Sequence, residues 1–158
     1  MGVKKMKKKI AVLLVLFVLI TLVPICASAQ EKRIGLGFGK PTTVLVFEYD
    51  PWVAKLAYDF TKEHQFLFLS GSYTLINSRP IAGPFTASLG VGGFARFEFD
   101  DDGDNSFGAN IPLSIEIPML DDFVEIFLEF DPGLELLPKP KLTWKSTCIW
   151  LGATIRLD

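Results

Sequence analysis

His64 is the only histidine in the chain. A Ser-His-acid hydrolase needs its histidine held beside a nucleophile. The surrounding Lys62-Glu63-His64 reads as a tight loop with no nucleophile motif near it, so an ordinary loop residue is expected. The run Asp100-Asp101-Asp102-Gly103-Asp104-Asn105 gathers carboxylates around a turn glycine and could in principle ligate calcium. It lacks the bidentate glutamate that closes an EF-hand loop, and a solvated acidic hairpin is the simpler expectation. Gly35-x-Gly37-x-Gly39-Lys40 has the look of a phosphate loop, but its pattern is that of a strand with no helix after it.

What remains is a set of charges that alternate with apolar residues: Lys55, Asp59, Arg96, Glu98, Glu116, Glu125, Glu129 and Arg156. Charges at every second position share one face of a strand. No catalytic, cofactor or metal set can be assembled from them. Their expected role is a hydrogen-bonded network that fills an enclosed space, with a narrow ion path as the alternative.

The elements that carry these charges follow from the periodicity, which is close to two through most of the chain. Turn signals divide it into eight segments, about 33–39, 42–49, 52–60, 65–75, 85–99, 106–117, 123–130 and 142–157. The breaks are Lys40-Pro41, Asp50-Pro51, Lys62-Glu63, Ser78-Arg79-Pro80, residues 101–105, residues 118–121, and Asp131-Pro132-Gly133 with Pro138-Lys139-Pro140. Short connections imply neighbouring antiparallel strands, hence an all-β, eight-stranded up-and-down barrel.

Ahead of the barrel, Lys4, Lys5, Lys7, Lys8 and Lys9 precede an apolar stretch over residues 10–23 and the small residues Ala27-Ser28-Ala29. This is the layout of a secretory signal peptide cleaved after Ala29, with residues 30–158 as one mature domain. Ile25 is too bulky for the site that a lipoprotein modified at Cys26 needs. Cleavage removes only basic charges and leaves eleven Lys and Arg against eighteen Asp and Glu, a net charge of −7. Nucleic acid is therefore not an expected partner. Only Cys148 remains in the mature part, so no intrachain disulfide is possible there.

Alternation by itself fits two opposite objects, a soluble barrel with its apolar face inward and a membrane barrel with that face outward. The polar face here is crowded with small residues (Gly37, Ser70, Ser88, Gly92, Gly152), which a narrow lumen requires and a water-facing surface does not. The apolar face gathers Tyr49, Trp52, Phe60, Phe85, Phe99, Phe107 and Phe130 near segment ends, as in an aromatic girdle. Membrane insertion is the expectation; a soluble periplasmic barrel binding an apolar ligand is the alternative, and a lipid-modifying enzyme a more distant third.

Three stretches carry a family resemblance: residues 35–42; Asp102-Gly103-Asp104 leading through Gly108 to Ile111-Pro112-Leu113; and residues 125–129 followed by Pro132 and Leu137-Pro138. In these the chain resembles the small eight-stranded outer-membrane barrels of the OmpA/OmpX type, and most closely an uncharacterised spirochaete-type outer-membrane barrel family. That resemblance implies a monomer in the outer membrane, in contact with lipid, inserted by the outer-membrane assembly machinery, and it carries no activity. Thr43 stands where that family has glycine after its Pro-Thr, and the chain ends Ile155-Arg156-Leu157-Asp158 rather than in the usual aromatic residue.

Overall fold

The structure is a computed structural model that describes residues 31–59, 65–99, 104–138, 140–142 and 146–157. The signal-peptide segment, Phe60, His64 and Asp100 to Gly103 lie outside the described residues. Eleven strands appear in chain order: β1 (Lys32–Lys40), β2 (Val44–Tyr49), β3 (Trp52–Asp59), β4 (Phe66–Ala82), β5 (Phe85–Glu98), β6 (Ser106–Asn110), β7 (Leu113–Met119), β8 (Val124–Asp131), β9 (Gly133–Leu137), β10 (Lys141–Leu142) and β11 (Cys148–Leu157).

These strands make eight staves of one closed antiparallel barrel. Each of β1 to β5 pairs with its successor. The sixth stave is β6 followed by β7, both paired to β5, and the seventh is β8 followed by β9. Closure comes from β11, which pairs with β8 on one side and with β1 on the other. Among the described residues the pairings run all the way around the ring, so the backbone ladders satisfy one another there, except where β4 extends past β3 and where β10 pairs with β9 alone.

Two expected turns are not reversals. Ser78-Arg79-Pro80 lies inside β4, which continues to Ala82 before turning at Gly83. Pairing of β4 with β3 ends at Tyr73, while pairing with β5 continues with three register shifts. The far part of β4 is thus a one-sided ribbon. There Pro80 costs no ladder bond on its free side, and the left-handed Ser78, at φ 42°, fits a bulge. Asp131-Pro132-Gly133 likewise interrupts the seventh stave without reversing it, because β9 continues along β6. It faces a matching break at Ile111-Pro112, where the Ile111 amide donates to the Pro132 carbonyl at 3.2 Å. Pro118 also stays within β7, and the chain reverses over residues 120–123, three of which have positive φ.

The alternation sets polarity from the inside out. Along β8, Glu125, Phe127, Glu129 and Asp131 are buried while Ile126, Leu128 and Phe130 are exposed. Along β11, Cys148, Trp150 and Thr154 are buried and Ile149, Leu151, Ile155 and Leu157 are exposed. The interior thus holds Lys55, Glu116, Glu129, Asp131, Asn110 and several serines, and the large aliphatic residues face out. On the outward face of the described strands, charges occur at the two ends of β1, Lys32 and Lys40, and at Arg79 in the far part of β4.

Aromatic residues mark both rims of that outer band. Trp52 and Tyr73 meet edge to face at 5.1 Å near the β2–β3 turn, and Phe97 and Phe107 do so at 5.7 Å toward the opposite end.

Candidate lumenal site

Two contacts cross the barrel's interior near its middle. On opposite staves, the Lys55 ammonium of β3 donates to both carboxylate oxygens of Glu129 on β8, at 2.5 and 2.6 Å. Both side chains are buried. Asp131 lies 4.0 Å from the same ammonium and accepts two hydrogen bonds from Asn110, at 2.9 and 2.7 Å. Asn110 also donates to Ser70 at 3.1 Å, which ties β4, β6, β8 and β3 into one polar layer.

The second contact is aromatic. Phe68 stacks on Phe94 at 5.7 Å and meets Trp150 at 6.0 Å, so rings from β4, β5 and β11 pack across the lumen. The Trp150 indole N–H donates to the Thr42 carbonyl at 3.0 Å, which satisfies its one polar atom. Glycines make room for this packing. A Cβ on Gly37 would stand 2.9 Å from Val44 and 3.1 Å from the Phe127 ring, and one on Gly152 would stand 2.6 Å from that same ring.

The remaining expected charges sit elsewhere along the lumen. Arg96 and Glu98 pair at 2.7 Å, and the Arg96 guanidinium lies 3.9 Å from the Phe66 ring centre. Asp59, half-buried, stands opposite Phe66 in the ladder, and so does Glu98 on the other side. At the barrel end where β1 begins and β11 ends, Arg156 reaches Asp122 at 3.6 Å. Glu116 has hydroxyls around it, accepting from Ser88 at 2.9 Å, from Ser114, and from Thr86 at 3.3 Å.

Several polar residues at the site lay outside the expected set. Arg33 is buried and bridges Glu31 at 2.6 Å and Asp122 at 2.9 Å. Its inward direction was readable from its parity with Gly35 and Gly37. Asp131 follows Glu125, Phe127 and Glu129 in the same alternation, but the adjoining Pro132-Gly133 made it read as a turn. Glu48 shares its face with the buried Val44 and Val46.

Above the Lys55–Glu129 layer, toward the termini, the lumen widens into a cavity of about 270 Å³. Among the described residues no group of three His, Cys, Asp or Glu could hold a metal ion. Cys148 is a buried free thiol at the opposite side of that layer. Compared with protein-family models, with curated proteins and with solved structures, the chain matches none of them.

Proposed function

We propose that this chain is a small outer-membrane β-barrel protein with a structural or interaction-mediating role, not an enzyme, and with a plugged lumen rather than a wide pore. One observation carries the reading: aliphatic and aromatic side chains cover the outside of a closed barrel whose charged side chains point inward. In water an exposed apolar surface of this extent is unfavourable and drives association. In lipid it is the required surface, and closure of the barrel leaves no unsatisfied backbone edge. Export by a signal peptide cleaved after Ala29, monomeric insertion by the outer-membrane assembly machinery, and kinship with OmpA/OmpX-type barrels complete the proposal.

The alternative, a soluble periplasmic barrel holding an apolar ligand, calls for an apolar lumen. Charged and hydroxyl side chains occupy much of that space here. The test is fractionation of the processed protein. Recovery in the outer membrane, released only by detergent, is the expected result; a soluble periplasmic monomer would overturn the assignment. In planar bilayers the cross-lumen ion pair and aromatic layer should prevent large stable currents, and such currents would reject the plugged lumen.

A further inference from the structure

The cavity at the terminus end has an unbalanced charge. Seven of the side chains that line it are carboxylates and two are basic. Lys55 is engaged by Glu129, while Arg33 bridges Glu31 and Asp122, stands opposite Glu48 in the ladder, attracts Glu125, and keeps its buried Nη1 without a hydrogen bond among the described residues. Glu116 has only hydroxyl donors. Glu125, 8 % exposed, has no hydrogen-bond or ion-pair partner among the described residues although it lines the cavity, and neither has Glu48. Glu116 and Glu48 each repel Glu125 more strongly than Arg33 attracts it. A buried carboxylate without a partner is costly, and a set of them facing one enclosed space lowers its energy by taking up positive charge.

The lining also says what kind of positive charge. The carboxylates do not converge on a point where one small ion could be ligated. The same lining includes the apolar groups of Val46, Val53, Pro112 and Phe127. Separated anionic points joined by apolar wall suit a cation whose charges are separated by a hydrocarbon stem. We propose that this cavity binds a linear organic polycation of the diamine or polyamine class, with its ammonium groups on Glu48, Glu125 and Glu116 and its methylenes against the apolar wall. The proposal depends on the barrel and its cavity, and does not require that the barrel be inserted in a membrane.

The test is calorimetric titration of the processed, folded protein in an uncharged maltoside detergent with spermidine. Magnesium chloride and the uncharged chain 1,8-octanediol are titrated in parallel. Spermidine should bind at one site and octanediol should not. The double variant E48Q/E125Q should weaken spermidine about tenfold per carboxylate removed, the loss expected for a charge-assisted hydrogen bond. Retention of the heat-modifiable folded band on electrophoresis checks that the variant is intact. Should it not fold, amide shifts of the wild-type protein supply the second measurement: spermidine should move signals from Glu48, Gly90 and Glu125 and leave those of Thr42 and Thr43, at the opposite end, in place. Absent spermidine binding, equal binding of octanediol, tighter binding of magnesium at the same carboxylates, or shifts confined to the opposite end would each overturn the proposal.

Discussion

Lys55 is the residue on which the interior depends most. Its ammonium is buried and held between Glu129 and Asp131, so removing it leaves two carboxylates facing each other without a cation. Breaking a buried pair from one side costs about 3 to 5 kcal/mol, whereas replacing both partners by uncharged groups can be close to neutral. Lys55→Met should therefore destabilise the folded barrel by about that amount, and Lys55→Met combined with Glu129→Gln should recover part of the loss. Urea titration of the refolded protein in detergent measures both. Gly37 and Gly152 offer a second residue-level test, because a Cβ on Gly37 would meet Val44 and the Phe127 ring, and one on Gly152 would meet the Leu36 carbonyl oxygen as well as that ring. Gly152→Val should cost about 1 to 3 kcal/mol through overpacking, read by the same titration. A cost near zero would mean that both the ring and the neighbouring β1 backbone give way.

At the level of elements, the outward face of β8 and β11 distinguishes lipid from water as the surrounding medium. Leu128 and Leu151 stand opposite each other in the ladder, both exposed. In a bilayer, Leu128→Arg should disfavour insertion by roughly 2 to 4 kcal/mol near the midplane, falling toward the interfaces. In water the same change would be near neutral, as surface substitutions usually are. The ratio of folded to unfolded protein in lipid vesicles, compared between wild type and Leu128→Arg, decides between them. The ribbon beyond Tyr73 gives an opposite expectation. Residues there have only one pairing partner, and Arg79→Ala, at an exposed position of that ribbon, should change stability by less than about 0.5 kcal/mol.

For the whole molecule, the polar layer divides the described lumen into an acidic cavity on one side and an aromatic cluster on the other. Phe68, Phe94 and Trp150 pack on one side of the polar layer; the cavity lies on the other, where β1 begins, β11 ends and the β2–β3 and β7–β8 turns meet. A ligand that enters the cavity from the terminus end meets the Lys55–Glu129 pair as its floor. Binding and conduction are thus separate questions, and a barrel that binds spermidine while passing no large current satisfies both readings.

Much of this architecture was legible before any coordinates. Strict alternation over residues 106–117 and 123–130 assigned each side chain to one of two faces, because successive Cβ atoms of a strand must point opposite ways. Small residues on the polar face marked it as the crowded one. Local turn chemistry was less dependable: Ser78-Arg79-Pro80 and Pro132-Gly133 carry the residues of a reversal, yet the first is a bulged one-sided ribbon and the second a break within a stave. Whether such residues turn the chain depends on which strand lies alongside, and that is a tertiary property. The same holds for the charges with which the sequence analysis began. Sequence alone determined that Lys55, Glu116, Glu125 and Glu129 share the polar face, since that follows from parity. Only the closed barrel decided that Lys55 meets Glu129 across the lumen, that Glu116 is held by hydroxyls, and that Glu125 is left facing a cavity. Partners across a ring lie far apart in the chain, and closure and stagger, not spacing, bring them to the same height.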